Sequence, residues 1–122
     1  EVEELAQKLR EAALPQPFTV YTEREAVRVS RSVVLRFYAE DKGVFCQTGK
    51  GIFTVRARLY ELEEQLAPRD FVRVSKSAIV NFDQVKSLRP DLGGRLRLTL
   101  SNGEVVVANR QYVPAIKKKL GL

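Results

Sequence analysis

From Pro17 onward, apolar and polar residues alternate with a period of two, the pattern of strands that bury one face. Phe18, Val20 and Thr22 alternate with Thr19 and Tyr21, and Val27 and Val29 with Arg28 and Ser30. Val33, Leu35 and Phe37 then alternate with Val34, Arg36 and Tyr38, and Asp41-Lys42-Gly43 closes that run. Val44–Thr48 and Ile52–Arg56 predict a hairpin around Gly49-Lys50-Gly51, where glycine permits positive φ. Further strands are expected over Phe71–Ser75 and Gln84–Leu88. The clearest alternation sets Leu96, Leu98 and Leu100 inward against Arg95, Arg97 and Thr99. Asn102-Gly103, a strong hairpin signal, turns that strand into Glu104–Ala108.

The period changes in three places. Leu59, Leu62 and Leu66 mark a short amphipathic helix with Glu61, Glu63 and Glu64 outward, ended by Pro68. A last helix is expected from Gln111 to Leu120, with Pro114 in its first turn, Gly121 beyond its end and Lys117–Lys119 at its negative pole. Residues Glu1 to Leu14 form the third. Val2, Leu5, Leu9 and Ala12 or Ala13 fall at helical spacing, Glu1, Glu3 and Glu4 suit the first turn, and Pro15 stops it. This leading helix either docks on its own domain or ends a linker from an upstream domain, with a partner chain along its seam. The expected organisation is a linker helix over 1–16 and one domain over 17–122. The fold class is mainly β, with antiparallel sheets and two short helices.

Composition narrows the chemistry. The 122 residues suit a single domain, and 44% hydrophobic with 30% charged residues is the balance of a folded one. Histidine is absent, which removes Ser-His-Asp and Cys-His catalysis and His-ligated metal sites. A lone cysteine, Cys46, permits no internal disulfide and no multi-thiolate metal cluster. No enzyme activity, cofactor or metal is expected. No apolar run approaches the roughly 18 residues that span a bilayer, so no membrane association is expected. The lone cysteine suits a reducing cytoplasm, and a cytoplasmic location is expected. The first residue is Glu1 rather than Met, which suggests a piece of a longer protein.

Charge then points to a partner. Residues 1–16 carry a net −2, 17–41 balance, 42–68 carry +1 and 69–122 carry +7, within a total of +6. One sign of charge concentrated in one part of a chain is the footprint of a polyanion.

The stretch Phe71-Val72-Arg73-Val74-Ser75-Lys76-Ser77-Ala78-Ile79-Val80-Asn81 resembles the signature of the LytTR (LytR/AlgR-type) DNA-binding domain. That signature has an aromatic–x–Arg strand, a basic–Ser step and then Ile-Val-Asn. The resemblance continues through Gly94-Arg95-Leu96 and Asn102-Gly103 to Asn109-Arg110-Gln111-Tyr112, and covers roughly residues 18 to 120. It implies an elongated, mostly antiparallel β fold whose loops enter successive major grooves of duplex DNA, usually at direct repeats in bacterial promoters. It also implies the output domain of a two-component response regulator, with a sensor or receiver domain upstream and two copies paired on the DNA.

Three positions match those from which the family reads bases: Lys42, Lys76 and Arg110. Arginine offers two parallel donors to guanine O6 and N7, and lysine reaches the same acceptors or a phosphate. Arg58, Ser77 and Asn109 match positions that meet the sugar-phosphate backbone, where polar donors set register. The sequence departs from the family at Ser75, where His is frequent, at Ala78, where an aromatic is, and at Asn109 and Gln111, where Ser and a second basic residue are usual. Asn81 is expected to fasten its own loop backbone, Cys46 to fill core space, and Lys117–Lys119 to add only long-range attraction. A competing reading is a small basic β module that binds RNA or ribosomal protein, which calls for exposed aromatics on which bases stack.

Overall fold

In a computed structural model, residues 18–66 and 70–122 are described; the expected leading helix and linker over 1–16 lie outside them, as does the helix stop at Pro68. The elements in chain order are β1 (Phe18–Tyr21), β2 (Ala26–Val29), β3 (Val34–Glu40), β4 (Gly43–Thr48), β5 (Gly51–Val55), α1 (Leu59–Leu66), β6 (Phe71–Ser75), β7 (Ala78–Asn81), β8 (Val85–Pro90), β9 (Leu96–Leu100), β10 (Val105–Ala108) and α2 (Val113–Leu120). They form a seven-stranded sheet, ordered β2-β1-β5-β4-β3-β7-β6, and a three-stranded sheet, β10-β9-β8. Every strand pair is antiparallel. Among the described residues no helix is long and apolar enough to cross a membrane.

The larger sheet is buried on both faces at β3, β6 and β7. Val34, Phe37, Phe71 and Ile79 face α1, with Leu62 and Leu66 closing that core. Leu35, Val72, Val74 and Val80 face the opposite way and meet Leu96, Leu98 and Leu100 of the smaller sheet and Ile116 of α2. The layers are therefore α1, the large sheet, and the small sheet with α2. This arrangement explains why β3, β6 and β7 are apolar on both sides.

Two local expectations change. The alternation starting at Val33 fails because the β3–β4 register shifts between Val34 and Arg36. Val33 is half-exposed while Val34 is fully buried. The extra residue of such a bulge switches the faces of those before it. The Asn102-Gly103 hairpin forms, but not as a two-residue turn: the Gly103 amide donates to Leu100 O, the Leu100 amide to Glu104 O, and only Gly103 has positive φ, 91°. That is a turn closed by a glycine bulge, held by Asn102 Oδ1 accepting from the Glu104 amide at 3.0 Å.

Asn81 does more than fasten its own loop. Its side chain accepts from the Asp83 amide at 3.1 Å and donates to Val34 O at 2.9 Å, tying β7 to the start of β3. Cys46 is fully buried, and desolvation pushes its thiol up to about 12. Such a thiol is a core side chain with almost no thiolate at neutral pH.

Candidate nucleic-acid interface

The connection between β3 and β4 is two residues long, because Glu40 pairs directly with Gly43. Asp41 and Lys42 both have positive φ, 49° and 68°, which gives the twist a two-residue hairpin requires. Lys42 is exposed at its tip.

The β6–β7 connection is equally short: Ser75 pairs with Ala78, leaving Lys76 and Ser77 as the turn. Both turn residues are exposed. Ser75 Oγ accepts from the Ser77 amide at 3.2 Å. Arg73 holds the turn from below. Its Nε donates to Ser75 O at 2.7 Å and its Nη2 to Lys76 O at 2.6 Å, while Nη1 meets Glu63 Oε1 of α1 at 3.0 Å. The bulge between Arg73 and Ser75 leaves Val74 without a partner in that ladder.

Register brings the two turns together. Tyr38 pairs with Ala78, and the Ala39 amide donates to Ser77 O at 2.9 Å, so the end of β3 lies beside the start of β7. Lys42 and Lys76 therefore leave the same end of the large sheet. Val44 pairs with Val55, which brings the end of β5, and Arg58 beyond it, to that end as well. Arg58 starts α1: its carbonyl accepts from the amides of Glu61 and Leu62, and its amide donates to Glu61 Oε1 at 3.0 Å. The glutamates expected only to be solvated thus include two with structural partners, Glu61 and Glu63.

Arg110 reaches this end from the small sheet. The Asn109 amide donates to Val74 O at 2.9 Å, anchoring the end of β10 to β6 one residue before the turn-forming Ser75. Arg110 opens a 3-10 turn, Arg110–Tyr112, that precedes α2, so the helix begins two residues later than the pattern suggested. The Arg110 stem lies over Gly94, where an added Cβ would come within 2.9 Å of Cδ. Gly94 also has φ of 76°, so glycine is required there on both counts. Asn109 and Arg110 are exposed, and the Asn109 side chain makes no capping bond.

All six residues expected from sequence thus cluster at one end of the molecule, as exposed side chains on short, anchored backbone. Arg73, Glu63 and Gly94 escaped the sequence reading as positioning residues. A signal for Arg73 was present, a lone cation in the apolar run of β6.

The LytTr DNA-binding domain family matches residues 22–121 of the chain. The chain belongs to the LytTR family. Its fold superposes with a TM-score of 0.83 on the LytTr DNA-binding domain of a protein described as a methyl-accepting/DNA response regulator from Bacillus cereus. The two are 29% identical, and the match covers 88% of this chain and 98% of that one. An uncharacterized HTH-type transcriptional regulator of Staphylococcus aureus strain NCTC 8325 is 34% identical over 102 residues, which are 84% of this chain and 69% of the relative. Its counterpart in strain MRSA252 is 33% identical over the same length. The LytTR domain is a DNA-binding domain of transcription regulators, and this chain has its fold. Among the described residues five strands separate α1 from α2, so these two helices do not form a helix-turn-helix.

Proposed function

We propose that this LytTR domain binds duplex DNA sequence-specifically as the output domain of a bacterial transcription regulator. Lys42, Lys76 and Arg110 read base edges from successive grooves at direct-repeat sites. Arg58, Ser77 and Asn109 contact the sugar-phosphate backbone, and two copies occupy the two repeats. A sensor or receiver domain joined through residues 1–16 supplies the signal. The observation that carries this reading is the gathering of three cationic tips on three separately anchored connections at one end of the fold. Short turns with fixed carbonyls lose little freedom on binding, which favours discrimination between bases over loose charge attraction.

The RNA-module reading loses support from the aromatic side chains. Phe18, Phe37 and Phe71 pack on one another with ring centroids 5.2 to 6.3 Å apart. Rings committed to the core offer no stacking platform for splayed bases, and among the described residues Tyr60 stands as a single exposed aromatic.

The test is binding to duplex and to single-stranded oligonucleotides across a salt titration. Preference for the duplex is expected, with a log–log slope on the order of −4 to −7 from roughly five to eight neutralised phosphates. Tighter binding to single strands, or affinity indifferent to salt, would overturn it.

A further inference from the structure

The outer face of the small sheet carries arginines that the turns do not use. Arg97 on β9 lies directly opposite Arg89 on β8. Like charges facing each other across a ladder destabilise it. Extended backbone at Arg95 continues the alternation of β9 and sets this residue on the same face as Arg97. The carboxylate joined to this group is Asp91, whose Oδ2 lies 3.6 Å from Arg97 Nη2. Among the described residues, three cations therefore lie on this face with one ion pair, Arg97 to Asp91, a conflict between local stability and sequence of the kind found where a surface serves a ligand.

Position identifies that ligand. Leu96 pairs with both Pro90 and Ala108, so the arginine end of the small sheet is the end from which Asn109 and Arg110 emerge. The hairpin turn at Leu92–Gly94 lies under the Arg110 stem. Arg95 is steadied there by its Nε donating to Leu92 O at 3.0 Å. The patch is thus continuous with the Arg110 loop.

We propose that Arg89, Arg95 and Arg97 form a phosphate-contacting surface that carries the duplex beyond the base-reading turns. The inference rests on the DNA reading above and extends its footprint on one side. Guanidinium forks match phosphate oxygens, and a polyanion relieves the repulsion that the sheet otherwise bears. These contacts add affinity without reading sequence.

The experiment compares the chain on a selected site in three duplexes: one trimmed to the site, and two extended by unrelated sequence at one end or the other. One extension, and not its opposite, is expected to tighten binding and to steepen the salt slope by about 2 to 3, for two or three added phosphates. The double variant Arg89→Ser, Arg97→Ser should lose that gain while keeping its affinity and base preference on the trimmed site. Its melting temperature should equal or exceed that of the wild type, because the facing charges are gone. Arg89→Lys with Arg97→Lys should restore part of the gain. Binding indifferent to either extension, with Arg110 still required, would overturn this inference alone. Failure to bind any duplex would overturn the DNA reading with it. An equal loss on trimmed and extended duplexes would place the arginines inside the core footprint and also refute the extension. Capture of an acidic protein without any effect of flanking DNA would assign the patch to that partner instead.

Discussion

The guanidinium of Arg73 donates to the carbonyl oxygen of Lys76 at 2.6 Å, so a strand residue fixes the backbone of the turn that follows it. The same side chain binds Ser75 O and Glu63, and thereby joins the turn to α1. Lys76 itself is free to reach outward because its backbone needs no help from its side chain.

Arg73→Ala is expected to lower stability by about 1–3 kcal/mol, the usual cost of removing a charged partner from part-buried hydrogen bonds. Arg73→Lys should recover little, since an ammonium lacks the planar fork that meets three acceptors at once. Urea unfolding gives the stability, and the amide chemical shifts of residues 75–77 report the turn. Unchanged shifts in both variants would show that the turn holds itself.

Gly94→Ala tests the support of Arg110. The new methyl group meets Cδ of Arg110 at 2.9 Å on a backbone with positive φ, so the arginine stem must move. A stability loss of about 1 kcal/mol or more is expected from the backbone alone. Discrimination among duplexes should fall further than affinity for random DNA. Equal losses on all sequences would mean that Gly94 serves the fold and not the placement of Arg110.

Much of this arrangement was legible in the sequence because it depends on period and on local turn chemistry. Leu96, Leu98 and Leu100 alternate into the core as their spacing required. The β4–β5 hairpin, α1 and the late helix also follow from pattern. What escaped is what pattern does not encode. The Val34–Arg36 bulge shifts a register through contacts with β4. Arg73 acts on carbonyl oxygens, which every residue has, so nothing in the sequence singles out its acceptors. The bond from Asn81 to Val34 spans 47 residues and exists only once β3 and β7 are neighbours. The six candidate site residues came from the family resemblance, and register then accounts for their meeting at one end.

Asp83 offers a test by pH. A side-chain hydrogen bond with Asp70, then burial, then repulsion between the two carboxylates hold its pKa above the ordinary 3.8. The folded state therefore binds the proton more tightly than the unfolded chain. That stabilisation is complete below the unfolded value and is lost as pH rises through the folded one. Asp83→Asn removes the charge and should raise the melting temperature slightly at pH 7, with the advantage shrinking as pH falls toward 3.8. A variant less stable than wild type at pH 7 would contradict the assigned repulsion.

Cys46 should resist thiol-specific alkylation in the native protein, since burial pushes its pKa to about 12. Reaction should follow the fraction unfolded in a denaturant series. Rapid modification without denaturant would show that the strand opens far more readily than its packing allows.

In the proposed complex Arg110 reads a base and does not merely supply charge. The direct measurement is competition between a selected duplex and its single-base variants for wild type, Arg110→Ala and Arg110→Lys. Arg110→Ala should weaken the selected site by about 1–3 kcal/mol and erase discrimination at one base position, while affinity for random DNA falls far less. Arg110→Lys should keep charge yet resemble the alanine variant in specificity, because it lacks the paired donors. A loss equal for every sequence would make Arg110 a phosphate anchor and contradict the account.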